Sequence, residues 1–225
     1  MKQIAIAVLF ISFWVASCAS PRQLVEPPRA ITSTSSVVAE QGPFKPDANL
    51  YLCPNSTITN AFEADSNDRI LNFNPVILVD GKVVMTPVPV NAACMTSGFG
   101  TRFGRTHKGL DIQAGTDATI YSAAPGIIRE AGFSTGFGNY VVIDHGQGIF
   151  TRYAHMARFG PGVAQGVTIG FGQPLGIIGQ SGNATGIHLH FEVLTGNYNT
   201  PKKSFGLTAR DPLSFPPYTG FGAGS

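Results

Sequence analysis

Two histidines one residue apart, in Gly186-Ile-His188-Leu-His190-Phe-Glu192-Val-Leu194, are the side chains here best placed to do chemistry. The run alternates polar and apolar residues, the pattern of a half-buried strand, in which residues i and i+2 share a face. His188 and His190 therefore project together with Glu192 following, while Leu189, Phe191 and Val193 turn into an apolar layer. Two imidazoles held side by side on a sheet face make half of a metal site.

Thr106-His107-Lys-Gly-Leu-Asp111 offers the other half, a histidine and a carboxylate four residues apart. Zinc holds nitrogen and oxygen ligands at roughly 2.0–2.2 Å, so two ligands of one ion lie only about 3–4 Å apart. On a straight strand, residues i and i+4 stand about 13 Å apart. The chain must bend between His107 and Asp111, and Gly109 makes a bend easy. His107, Asp111 and one of the pair His188/His190 give three protein ligands and leave the fourth position to water, the catalytic rather than the structural arrangement. The remaining histidine of the pair then stands beside the metal for proton transfer. Tyr153-Ala-His155 supplies a further candidate.

These residues have to be carried by strands. The 225 residues include 27 glycines and 16 prolines, with many short β-branched or aromatic runs. That composition favours tight turns between strands over helices. Strands are expected at 119–123, 126–131, 139–144, 149–155, 173–179 and 188–194, punctuated by Pro125-Gly126, Gly136-Phe-Gly138 and His145-Gly-Gln-Gly148. No connection is long enough for a crossover helix, so an all-β fold with an antiparallel core, a two-sheet sandwich or open barrel, is predicted. Upstream, Val76 to Met85 reads as a hairpin around Asp80-Gly81. After Gly196 the chain reads as irregular, and Arg210-Asp211-Pro212 closes the domain.

The domain plan is a signal segment over 1–18, a flexible tether over 19–49 rich in Pro, Ser and Thr, and a small hairpin-containing extension over 50–92. The core domain spans 93–215 and a flexible tail 216–225. Lys2 followed by apolar Ile4 to Val15 is an export signal too short for a membrane span. Val15-Ala-Ser-Cys18 resembles a bacterial lipobox, which implies a lipid on Cys18 and attachment to a membrane, outer membrane favoured; an ordinary cleaved signal is the other reading. Either way the chain is expected outside the cytoplasm, lipid-anchored in the periplasm, or else periplasmic or secreted. Cys53 and Cys94 remain, bridged in an oxidising compartment or present as two buried thiols. With 12% charged residues and a net charge of +2, nucleic acid is not an expected partner.

Taken together, Ser97-Gly-Phe-Gly-Thr-Arg102, His107-x-Gly-x-Asp111, Ala124-Pro-Gly126, Gly138-Asn-Tyr140, His145-Gly146, Tyr153-Ala-His155, Gly179-x-Ser-Gly182 and Gly186-Ile-His-Leu-His-Phe-Glu192 resemble the lysostaphin/LytM-type zinc metallopeptidases. These enzymes cut the peptides of bacterial peptidoglycan. The likeness runs from about Met95 to Val193. It implies one Zn²⁺ per chain held by His107, Asp111 and His190. It assigns His155 and His188 to positioning and activating the water and stabilising the tetrahedral intermediate. Two departures, a short loop between Arg102 and His107 and Ile187 where proline is frequent, bear on one wall of the groove rather than on the chemistry.

The function implied is a zinc endopeptidase acting on peptidoglycan peptides. The alternative is a non-catalytic LytM-like lipoprotein that binds the wall and activates amidases, as relatives lacking zinc ligands do; here the ligand set is intact. A purely structural zinc would call for four closed protein ligands. His145 reads as structural and Asp144 as a turn residue. Glu192 is either an outer partner that orients an imidazole, or a solvated or structural residue. The glycines from Gly98 to Gly104 match no phosphate-binding motif and read as turn glycines.

Overall fold

The structure is a computed structural model and describes residues 43–56, 60, 64–102, 104–200 and 205–220. The signal segment with Cys18, the tether as far as residue 42, Phe103 and the end of the tail from residue 221 lie outside the described residues. In chain order the strands are β1 (Tyr51–Leu52), β2 (Ile77–Val79), β3 (Val83–Met85), β4 (Cys94–Ser97), β5 (Gly100–Arg102) and β6 (Arg105–His107). They continue as β7 (Leu110–Gln113), β8 (Thr119–Tyr121), β9 (Gly126–Ser134), β10 (Gly138–Asp144) and β11 (Ile149–Met156). The series ends with β12 (Arg158–Phe159), β13 (Thr168–Ile169), β14 (Pro174–Ile177), β15 (Leu189–Thr200) and β16 (Phe205–Arg210). Among the described residues there is no α-helix, only a 3-10 turn at Pro212–Ser214, where Asp211 caps the Leu213 N–H.

The main sheet has nine strands in the order β1-β4-β7-β15-β11-β10-β9-β13, with β16 added to β15. All its pairs are antiparallel except β1 with β4. A second sheet, β12-β14-β8, faces it across one apolar core. That core takes Ile120 and Leu175 from the small sheet and Ile112, Ile128, Val141, Tyr153, Leu189 and Phe191 from the large one. Each such side chain contributes roughly 1.5–3 kcal/mol by leaving water. Leu189, Phe191 and Val193 all point into this layer, as the alternation predicts. β11, central in the sheet, is buried along its whole length.

The predicted hairpin forms: β2 and β3 pair, and both turn residues, Asp80 (φ 46°) and Gly81 (φ 69°), are left-handed, with Lys82 N–H donating to Val79 O at 2.9 Å. Near the start of the described chain, Phe44 packs against Tyr121 and Phe171 with ring centroids 5.1 and 5.5 Å apart. Residues 43–49, assigned above to the tether, carry these contacts. Cys53 and Cys94 are joined by a disulfide with a Cα–Cα distance of 4.9 Å.

One expectation is corrected. The chain after Gly196 is not irregular: β15 runs on to Thr200, and β16 returns along it with Thr195 opposite Thr208. The reason is a second, smaller apolar cluster on the outer face, Val142, Phe150 and Leu194, which Tyr198, Leu207 and Ala209 cover.

His145 stands where the turn reading put it. Its Nδ1–H donates to Pro125 O (2.7 Å) and its Nε2 lies 2.7 Å from Thr151 Oγ1, which is 3.0 Å from the buried Tyr153 hydroxyl. Asp144 accepts from Gly146 N–H (2.8 Å) and pairs with Arg129.

Candidate metal centre

The site is built on one cross-strand pair. On adjacent antiparallel strands β7 and β15, Asp111 sits directly opposite His190. The β5–β6 hairpin brings in His107 from the side. The glycine between His107 and Asp111 is needed for a reason other than easy bending. A Cβ on Gly109 would lie 2.2 Å from Phe191 O and 3.0 Å from Glu192 Cγ. The loop passes so close to β15 that no side chain fits. Gly109→Ala is therefore expected to destabilise the domain by about 1–3 kcal/mol, the usual range for overpacking. At this size that is a fall in Tm of about 2–12 °C, measurable by thermal unfolding.

Three atoms converge at the bottom of the cleft. His107 Nε2 lies 3.0 Å from Asp111 Oδ1 and 3.0 Å from His190 Nδ1, and His190 Nδ1 lies 2.9 Å from Asp111 Oδ1. The other polar atom of each residue is already committed. His107 Nδ1–H donates to Gly98 O at 2.6 Å. Arg102 donates to Asp111 Oδ2 at 2.9 Å while also holding Ser97 Oγ at 2.6 Å. His190 Nε2–H donates to Glu192 Oε1 at 3.1 Å. Two ring nitrogens and a carboxylate oxygen thus face one point, an arrangement that suits a cation in the middle, a proton or a metal ion. His107, Asp111 and His190 are all buried and together could hold a metal ion.

The ionisation behaviour follows from the same contacts. Burial disfavours the charged form of His190, but hydrogen bonds with Asp111 and Glu192 outweigh it and raise its pKa to about 9. Burial would push Asp111 up; its hydrogen bonds with His107 and His190 win and hold it well below the usual carboxylate range. Glu192 is likewise held down, against burial, by His190 and the Arg152 charge.

His155 and His188 reach the cleft by different routes. β11 alternation would turn His155 into the core with Tyr153. A bulge prevents this: Val141 pairs with Tyr153 but Asn139 with Met156, and His155 takes a left-handed φ of 62°. Its Nδ1–H donates to Ser181 O (2.8 Å), and burial pushes its pKa down to about 4. His188 precedes β15, is bridged to Gly179, and donates Nδ1–H to Gly186 O at 2.9 Å. Its Nε2 lies 3.6 Å from Asp111 Oδ1, and the rings of His155 and His188 are 4.8 Å apart. With Nδ1 committed to a backbone carbonyl, each imidazole has Nε2 left to use, and both rings line the cleft that holds the converging atoms.

All five residues line one open cleft of about 640 Å³, with Phe137 on one wall. His145 is not among its lining residues. Three supports of the site have no role that the motifs alone assign. Arg102 and the Gly98 carbonyl, which fix Asp111 and His107, come from Ser97-Gly-Phe-Gly-Thr-Arg102. Asn60 is remote in sequence; its amide donates to Gly98 O and accepts from Gly98 N–H at 3.3 Å.

Residues 105–201 match the model of Peptidase family M23. The chain is 35% identical over 124 residues to the DD-carboxypeptidase/endopeptidase Mpg of Neisseria meningitidis serogroup B, covering 50% of this chain and 28% of that one. It is 33% identical over 99 residues to the peptidoglycan DD-endopeptidase ShyC of Vibrio cholerae serotype O1, covering 44% and 22%. Each match thus spans less than a third of the curated relative. Among solved structures, a zinc-containing peptidase from Vibrio cholerae superposes with a TM-score of 0.52 at 27% identity, over 64% of this chain and 47% of that one. Residues 105–201, which carry the candidate site, match an M23 peptidase domain of the lysostaphin/LytM type.

Proposed function

We propose that this chain is a zinc-dependent endopeptidase that hydrolyses peptide bonds of bacterial peptidoglycan. The observation that carries the reading is the convergence of His107 Nε2, Asp111 Oδ1 and His190 Nδ1, each with its other polar atom tied off. Spacings of 2.9–3.0 Å need only a small expansion to span a zinc ion, whose ligands lie about 3–4 Å apart. Two imidazoles and one carboxylate suit zinc, and three protein ligands leave a position for water. Bound there, zinc would lower the pKa of water towards 7 and polarise a carbonyl. The chain's own part is proton handling. His155 and His188 turn their Nε2 atoms to the cleft, one to take the water's proton and return it to the leaving amine, the other, once protonated, to donate to the developing oxyanion.

The DD-endopeptidase names of the relatives support a bond between D-configured stem residues as the target. They and the Cys53–Cys94 disulfide support action outside the cytoplasm. A lipid on Cys18 is proposed from the lipobox alone.

The test is digestion of purified sacculi by the chain from residue 19 onward, with and without a zinc chelator, reading released muropeptides by mass spectrometry. Chelator-sensitive loss of cross-linked dimers is expected. Folded, zinc-loaded protein that releases nothing but stimulates a wall amidase would overturn the reading in favour of the non-catalytic alternative. A second expected result concerns protons. With His190 at about 9, the free site carries a proton at pH 7. Zinc uptake should expel about one proton per site, and affinity should weaken as pH falls. Titration calorimetry in buffers of different ionisation enthalpy measures the number.

A further inference from the structure

We propose that Arg152 is a positioning residue of the metal centre, locking the carboxylate that orients His190 and the aromatic wall in front of it. The inference rests on the reading above, that His107, Asp111 and His190 hold the metal.

Arg152 on β11 lies directly opposite Glu192 on β15. Their side chains are only 7% and 1% exposed, and Arg152 Nη1 meets Glu192 Oε2 at 2.6 Å. The other oxygen of Glu192 takes the His190 Nε2–H. The carboxylate is thus held at both ends, by the guanidinium behind and the imidazole in front. Only while it stays there does His190 keep its proton on Nε2 and its lone pair on Nδ1, facing Asp111 and His107. A freed carboxylate would let the ring turn over and withdraw the ligand atom.

The same guanidinium reaches the cleft wall. Its Cζ stands 4.2 Å from the centre of the Phe137 ring, which is stacked at 30° on His190 with centroids 6.2 Å apart. Phe137 O accepts the backbone N–H of His155 at 2.8 Å. One buried cation therefore braces His190 from two sides and adjoins the segment that seats His155.

Stability does not account for this arrangement. A buried ion pair is often no better for folding than an apolar pair of similar volume. Here Arg152 Nε is also buried with no hydrogen-bond partner among the described residues. A cross-strand apolar pair at 152 and 192 would serve the sheet at least as well. What it would lose is the fixed orientation of His190. Lysine would be a partial substitute, since it keeps the charge but lacks the planar fork and the flat face.

The test is zinc affinity of the full chain, by competition with a chromophoric chelator, for wild type, Arg152→Met, Arg152→Lys, Glu192→Gln and the Arg152→Met/Glu192→Gln double variant. Arg152→Met is expected to lower affinity about 10–100-fold, the usual effect of losing an outer partner of a ligand, and Arg152→Lys to recover part of it. In the Glu192→Gln background Arg152→Met should add less than about threefold, because it acts through that carboxylate. Folded Arg152→Met that binds zinc within twofold of wild type would overturn the proposal. If that variant does not fold, Arg152→Lys decides: affinity equal to wild type overturns it, and a loss supports it. Wild type that binds no zinc would instead sink the metal-site reading beneath it.

Discussion

Alanine at position 190 is expected to empty the site and stop hydrolysis while leaving the fold in place. His190 supplies one of the three converging atoms, 3.0 Å from His107 Nε2 and 2.9 Å from Asp111 Oδ1. Without it, His107 and Asp111 alone would make a two-ligand site, too weak to retain zinc against a chelator. The metal is asked for several kcal/mol of transition-state stabilisation, about three orders of magnitude or more in rate. The fold should survive because the carboxylates on either side keep partners, Asp111 through Arg102 and Glu192 through Arg152. Zinc content by atomic absorption, with muropeptide release from sacculi, checks both halves. His145→Gln is the contrast. It removes an imidazole that bonds Pro125 and Thr151, outside the cleft, and should keep both metal and activity. Wild-type hydrolysis by the His190→Ala chain would end the case for metal catalysis here.

His155→Ala and His188→Ala should behave differently, keeping zinc and losing about 10²–10⁴-fold in kcat, the usual worth of a positioned acid or base. Each ring is oriented by a backbone carbonyl on Nδ1, which leaves Nε2 as an acceptor facing the cleft. Burial, with His155 pushed down to about 4, keeps that ring neutral at pH 7. Removing both should cost less than the product of the single effects, because the base and the oxyanion donor serve the same transition state. The measurement is kcat with metal content determined on the same samples. Loss of zinc in either variant would show that the ring is a ligand rather than a proton carrier.

How much of this could be read beforehand depended on how local the signal was. The alternation of Leu189, Phe191 and Val193 against His190 and Glu192 is a property of five consecutive residues, and it held. Gly109 was noticed for the right place but the wrong cause: its constraint is the backbone of Phe191, 82 residues away, invisible without the pairing of β7 with β15. The bulge that swings His155 out of the core leaves no mark in Arg152-Tyr-Ala-His-Met156, since a left-handed histidine looks like any other in sequence. Arg152 carries no signal of its own in the sequence. Its meaning comes from the register that sets it opposite Glu192. Strand β16 was missed because the outer apolar face that it covers is assembled from β10, β11 and β15 together.

The bond between Cys53 and Cys94 also decides what a protease can accomplish on this chain. The two residues are 41 apart and bracket nearly all of the extension. A single cut anywhere from 54 to 93 opens a loop whose ends remain covalently joined, so nothing is shed. Whatever lies before Cys53 stays attached to the sheet that carries the site. A cut ahead of residue 53 does the opposite, setting the domain loose with its extension still in place. Detaching the domain from its leading segment by way of the extension would therefore take two events of different kinds, a nick and a reductant.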